Sequence, residues 1–443
     1  MKKKCLIFSI LFVLTLSAYA QGKFVLQNSD KDKVSFKLIN NLIVIPVEVN
    51  GVPLSFLLDT GVSKAIIFNF VNLSSELKIN KTEQIFLRGL GEGDSVEALR
   101  SKDNIFKIGD AVNIRQDVFA IFDPSLNFTP QLGIPIHGII GYDLLKDFVV
   151  EINYSKKIIT FHAPEYYKPK KCRKCETFNL DFSSKKPFID GSVMVAKDDQ
   201  SIPVKLLIDS GGSDALWLFN DEEKNINVPK KFFIDFLGRG LSGSVYGKRS
   251  KISRFSIGSF LLESVNTAFP DSTSISFARK FKERNGSLGG EILKRFNVIF
   301  NYPNKKITLR KNSNFKDSFN YNKSGISLEH SGVRVVKERN NGSVKTSFGN
   351  INNGNNTVRL SKSYKYVLAP SFAIVELRKD SPAAKAGLKI NDIILRINNQ
   401  DAHLYSIQEV MQLFYGPNGR RIKLIIDRGG VQMKFSLQLK SLF

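Results

Sequence analysis

Gly138 to Phe161 reads GIIGYDLLKDFVVEINYSKKIITF, and Gly286 to Leu309 reads GSLGGEILKRFNVIFNYPNKKITL. The two stretches align without a gap at an offset of 148 residues, with eleven of 24 positions identical. The identities include Gly141/Gly289, Leu145/Leu293, Phe148/Phe296 and Asn153-Tyr154/Asn301-Tyr302. Chance does not give that density, so the chain contains an internal duplication. Upstream, Phe106-Lys107-Ile108-Gly109 matches Phe255-Ser256-Ile257-Gly258, and Leu57-Leu58-Asp59-Thr60-Gly61 matches Leu207-Ile208-Asp209-Ser210-Gly211. Each half reads as mostly β. Apolar residues alternate at Val34, Phe36 and Leu38, an Asn50-Gly51 hairpin turn precedes Val52 to Leu58, and a short helical piece is expected near Asp143 to Lys146. The second half is expected to repeat this plan from Val193 onward.

At 443 residues the chain exceeds one ordinary core, and its 42% hydrophobic and 24% charged content excludes wholesale disorder. The N-terminus has Lys2 to Lys4, an apolar run from Cys5 to Leu16, and Ala18-Tyr19-Ala20 before Gln21. That order of basic, apolar and small residues is a signal-peptide pattern, which predicts cleavage after Ala20 and export to the periplasm or beyond the cell. The apolar run is too short for a comfortable span, so no integral membrane segment is expected after signal removal. The net charge of +24 is spread along the whole chain without a nucleic-acid motif, which reads as a solvated basic surface rather than a nucleic-acid face.

Two cysteines remain after export, Cys172 and Cys175, in a basic stretch. An oxidising compartment permits a local disulfide between them. With His162 they offer three possible zinc ligands, but no second pair follows at finger-like spacing, so a linker disulfide or free thiols are favoured and no metal is expected.

Asp59 and Asp209 each follow an apolar strand that should be buried and precede a hydroxyl residue and a glycine, at matching positions of the repeat. A charge where a core strand turns sharply is unusual, and finding it twice makes it a candidate for chemistry. On LLDTG, LIDSG, and the downstream Ile139-Ile140-Gly141 and Ser287-Leu288-Gly289, the chain resembles the retropepsin-like aspartic proteases in their exported, tandem, PDZ-bearing bacterial form. The resemblance implies two lobes related by a pseudo-twofold axis, with Asp59 and Asp209 as the catalytic carboxylates. Thr60 and Ser210 would cross-link the two loops, and Gly61 and Gly211 would let backbone approach closely. Two adjacent carboxylates cannot both ionise easily, so such a pair shares one proton and can act as base and acid on a bound water and a peptide carbonyl. No metal or organic cofactor is needed for that chemistry. Gly89, Gly91 and Gly93 in one half, and Gly238, Gly240 and Gly243 in the other, are candidates for two flaps over the dyad. The family usually has a small Ala or Ser after Asp-Thr-Gly; here Val62 follows, with Gly212 in the second copy.

Ile208-Asp209-Ser210-Gly211-Gly212 also looks like the nucleophile signature of chymotrypsin-type serine proteases. None of the four histidines has the required context, and the duplicated Asp59 would go unexplained. A non-enzymatic alternative is a duplicated fold that keeps its peptide groove without turnover.

After Lys311 the chain becomes polar and Asn-rich, with Asn350 to Thr357 reading as a loop or insertion. Asp380-Ser381-Pro382-Ala383-Ala384-Lys385-Ala386-Gly387-Leu388 and the following Asn391 to Asn398 resemble the bacterial PDZ signature. A helix carrying Ile407, Val410, Met411 and Phe414 and a strand pair across Asp427 to Gly430 would complete that module. The resemblance implies a groove for a peptide C-terminus, with Gly325, Ile326, Ser327 and Leu328 as the candidate carboxylate loop. The resulting expectation is a mostly β chain: signal peptide 1–20, protease lobes 21–168 and 177–312, a linker 169–176, and an α+β PDZ domain 313–443 with an Asn-rich insertion. Its partners would be protein or peptide substrates and a C-terminal peptide ligand of the PDZ domain.

Overall fold

The computed structural model describes residues 22–69, 76–197, 199–339, 345–347, 359–361 and 364–443. The expected signal peptide and nearly all of the Asn-rich insertion lie outside the described residues. The chain folds as two units. One holds residues up to 128 and from 135 to 320; the other holds 321–442 together with Thr129–Ile134.

The first unit is built from two copies of one arrangement. In lobe 1, strand β1 (Val52–Leu58) follows its partner Leu42–Val49 through Asn50-Gly51, both with positive φ, as a two-residue hairpin of this hand requires. Short strand β2 (Gly138–Ile140) then runs parallel to β1, pairing Ile139 with Leu57 and Ile140 with Leu58. In lobe 2, β4 (Ile202–Asp209) and β5 (Arg284–Gly289) repeat that parallel pair, with Ile208 opposite Leu288 and Asp209 opposite Gly289. The copy starts earlier than Val193: the hairpin Asp181–Ser183/Lys186–Met194 reproduces Lys37–Ile39/Leu42–Val49, register for register. Sequence divergence at Lys185-Lys186 hides it, while backbone pairing preserves it.

A third sheet joins the lobes. Strand β3 (Val149–Asn153) pairs antiparallel with the equivalent segment of β6 (Phe296–Asn301), Val149 opposite Asn301, Glu151 opposite Ile299 and Asn153 opposite Asn297. At the 148-residue offset this register is its own mirror image, so the pseudo-twofold axis passes between Glu151 and Ile299. One continuous hydrophobic core runs through both lobes, from Phe24 through Phe56, Phe106 and Ile152 to Val298, Phe300 and Phe319. Each fully buried phenylalanine contributes roughly 1.5–3 kcal/mol, so the lobes are held as a single body by apolar burial as well as by the shared sheet.

The second unit has its own core, including Ile326, Phe372, Ile394, Val410, Phe414 and Ile426. Its sheet runs from β7 (Ile326–Arg339) through β8 (Tyr364–Leu377), Ile393–Ile397 and Arg421–Arg428 to Val431–Gln438, the last two joined at Gly429-Gly430. Two helical pieces matter below: α1 (Thr129–Leu132), which belongs to this unit although it lies in lobe 1 of the sequence, and α2 (Ile407–Phe414). A capping box starts α2: the Ser406 side chain accepts from the Glu409 N–H, and the Glu409 carboxylate accepts from the Ser406 N–H. Among the described residues no helix is long and apolar enough to cross a membrane.

Candidate active site

The end of strand β1, Phe56 to Leu58, is buried, and Asp59 follows it at the point where the backbone turns away. The Asp59 N–H donates to the Ile140 carbonyl of β2 (2.9 Å), and the Gly61 N–H donates back to Asp59 Oδ1 (2.6 Å). Close packing explains the downstream glycine: a Cβ on Gly141 would stand 1.9 Å from the Asp59 carbonyl oxygen. The two loops are clasped by reciprocal bonds. Thr60 Oγ1 donates to the Ile208 carbonyl (2.6 Å) and accepts from the Ser210 N–H (3.0 Å); Ser210 Oγ donates to the Leu58 carbonyl (2.8 Å) and accepts from the Thr60 N–H (3.0 Å). Both hydroxyls are buried, so four backbone groups at the strand ends are satisfied across the axis.

The clasp sets the carboxyls of Asp59 and Asp209 side by side: a Cβ on Gly61 would stand 3.0 Å from Asp59 Oδ1 and 3.2 Å from Asp209 Oδ1. A Cβ on Gly211 would lie 2.2 Å from the Asp59 carboxyl carbon, so any side chain there would displace the pair. Burial and the facing Asp209 charge push Asp59 up to about 7, against the pull of the Gly61 N–H and Lys186. Burial also raises Asp209, opposed first by Arg284, then by Lys186 and by the Gly212 and Gly211 amides.

Those two cations are residues that the motifs did not single out. Arg284 is buried, yet still a cation at neutral pH with its pKa drawn down to about 10 by burial. Its Nε donates to the Gly286 carbonyl (3.1 Å) and its Nη2 to Ser287 Oγ (2.6 Å). Ser287, the residue that breaks the apolar-apolar-Gly pattern, is therefore the anchor of a guanidinium beside the dyad. Tyr302 was also missed as a site residue: its buried hydroxyl has no hydrogen-bond partner among the described residues, and its ionisation is suppressed by burial and by Asp59. In the sequence it appears only as part of the repeated Asn-Tyr pair.

The flap glycines divide. The Gly89 N–H donates to Ser242 Oγ (3.2 Å), Ser242 N–H to the Leu90 carbonyl (2.8 Å) and Gly93 N–H to the Ser242 carbonyl (2.7 Å), so the two tips are bonded to each other. Gly91 N–H donates to the Ser274 carbonyl (2.9 Å), and Glu92 accepts from Thr273 Oγ1 (2.7 Å) and Ser274 Oγ (3.0 Å). Leu90 packs between the small apolar clusters around Phe219 and Leu237. Gly240 lies against Leu90, and Gly243 follows Ser242. Gly238 stands apart at a register shift between Phe236 and Gly238, with nothing within 4 Å of where a Cβ would stand. A cavity of about 570 Å³ opens beside this junction, lined by Gly93, Glu97, Phe122, Ser125, Leu241 and Ser242; neither aspartate lines it.

Cys172 and Cys175 are joined by a disulfide. In the second unit Gly325 has the left-handed φ of a tight loop; its N–H donates to Asn322 Oδ1 (3.1 Å), and the Ile326 N–H donates to Ser324 Oγ (3.0 Å). Ile326, Ser327 and Leu328 open strand β7. Among the described residues no cluster of side chains with metal-ligand character is present.

Residues 45–144 match a family model described as aspartyl protease, and residues 374–428 match one described as PDZ domain. The first match covers the lobe that carries Asp59; the second lobe enters through the repeat. A 58-residue stretch is 38% identical to the carboxy-terminal processing protease CtpA of Bacillus subtilis (strain 168), covering 13% of this chain and 12% of that protein. The likeness thus spans about an eighth of that relative's length.

Proposed function

From an aspartyl protease domain followed in one chain by a C-terminal PDZ domain, we propose an aspartic endopeptidase that uses Asp59 and Asp209 as one dyad. The observation that carries the reading is the placement of the two carboxyls, one from each lobe, side by side at Gly61 and across the Thr60/Ser210 clasp. Lys186 favours the ionised form of both carboxyls, Arg284 that of Asp209, and burial raises both, Asp59 to about 7. With Arg284 on the Asp209 side, this reading gives the shared proton to Asp59. Asp209 takes a proton from a bound water as that water attacks the peptide carbonyl. Asp59 hydrogen-bonds the developing oxyanion, and the proton gained by Asp209 passes to the leaving amine as the C–N bond breaks. The bonded flap tips would have to part to admit a chain and would then exclude water over it.

The PDZ domain supplies a second peptide contact for substrate recruitment or control. The N-terminal pattern supports export; N-terminal sequencing of the mature protein should return Gln21 first, and an intact Met1 would refute that. Asp59→Asn and Asp209→Asn should each lower cleavage of an unfolded protein or peptide library by roughly 10²–10⁴-fold between acidic and neutral pH. Cleavage equal to wild type would remove the dyad.

A further inference from the structure

Strand β7 is an outer strand of its sheet, hydrogen-bonded to β8 and, among the described residues, to no strand on its other edge. Helix α2 lies beside it, with Ile407, Val410 and Phe414 buried in the same core as Ile326 and Leu328. An open strand edge next to a helix is the slot into which an extended peptide adds. Here that slot already has an occupant. The turn of α1 is closed by Gly133 N–H donating to the Thr129 carbonyl (2.8 Å), and Leu132 is buried. Gln408 Nε2, on the first turn of α2, donates to the Leu132 carbonyl (2.7 Å). Gly133 has φ +69, and a Cβ there would stand 2.8 Å from Ile407 Cγ2 and 3.2 Å from His330 Nε2. The fit between helix and strand thus depends on a residue without a side chain.

We propose that Thr129–Ile134 is an internal ligand of the PDZ groove, and that a peptide ending in a free carboxylate engages the full groove only by displacing it. The proposal rests on the PDZ match and not on the dyad. His330 lies five residues beyond Gly325, and a strand rises about 3.3 Å per residue, so the contact sits roughly 16 Å from the carboxylate-loop candidate. A tripeptide is too short to reach it; an octapeptide must collide with it.

The test uses the full chain carrying Asp59→Asn, so that no probe is cleaved, with and without Gly133→Val. The probe is a fluorescent octapeptide with the sequence of residues 127–134 and a free C-terminus; its last three residues alone serve as the short control. Displacement predicts octapeptide binding at least about tenfold tighter with Gly133→Val, as for a groove that is roughly nine-tenths occupied in the parent, and tripeptide binding that does not change. Equal octapeptide affinity in the two proteins, or binding to neither, overturns the inference. Should Gly133→Val fail to fold, Gln408→Ala and hydrogen exchange at residues 129–134 replace it: adding octapeptide should speed exchange in the segment, and unchanged exchange counts against the proposal. Loss of the dyad reading would show only in the cleavage assay.

Discussion

The two lobes share strand pairing, loop geometry and the clasp, yet they surround their aspartates differently. At the positions where lobe 1 has Leu42 and Ile136, both buried and apolar, lobe 2 has Lys186 and Arg284. Backbone architecture is therefore symmetric while the electrostatics is not. Like charges side by side must share a proton; Lys186 acts on both carboxyls, so Arg284 is the cation that sets them apart. The Gly212 amide also lowers Asp209.

The comparison can be broken most decisively at the carboxylates. Asp209→Asn and Asp59→Asn should each lower kcat by roughly 10²–10⁴-fold, the span of a positioned acid or base, with both variants folded; a mild loss at one position would mean that the lobes do not act as a pair. The clasp comes next. Thr60→Val leaves the Ser210 N–H and Ile208 carbonyl unsatisfied, and Ser210→Ala does the same to the Thr60 N–H and Leu58 carbonyl. Each should cost about 1–3 kcal/mol in denaturant unfolding, and near-equality of the two is the test of symmetry.

A smaller effect separates the carboxyls by pH. Asp59 is raised from 3.8 to about 7 in the folded state, so the native chain holds a proton there that the unfolded chain has lost. Its contribution to stability is therefore full below about pH 4 and lost as pH rises through about 7. Asp59→Asn should flatten the fall in Tm over that window; an unchanged slope would place the shared proton elsewhere. The smallest effect is on the acid limb of kcat/KM. Arg284→Met removes a cation that favours ionised Asp209, so the limb should move to higher pH, whereas Ile136→Met, its repeat counterpart, should leave it in place.

The duplicated fold was legible because the repeat conserves the residues that dictate backbone: Gly141 and Gly289 at close approaches, Asp-Thr/Ser-Gly at strand ends, apolar positions of β3 and β6. The cations were not, because they occur where the two copies diverge, and an alignment that rewards identity discards such positions. Arg284 lies only two residues upstream of the aligned block, so reading its mismatch with Ile136 as information would have found it. The split of the flap glycines was also hidden. Gly238 and Gly240 look alike in sequence, and only the register shift in the hairpin separates them. Thr129–Ile134 carries no local sign of its place in the second unit, since its partners His330 and Ile407 lie about two hundred residues and more away.

The mirror register of β3 against β6 has a genetic consequence. A site assembled from two copies of one polypeptide is written by one set of codons, so any residue placed beside one carboxylate is placed beside both. Here the two halves are spelled separately, and Arg284 near Asp209 has no twin near Asp59, where the matching residue is Ile136. Each half can therefore vary on its own while Val149–Asn153 and its counterpart hold the frame in register.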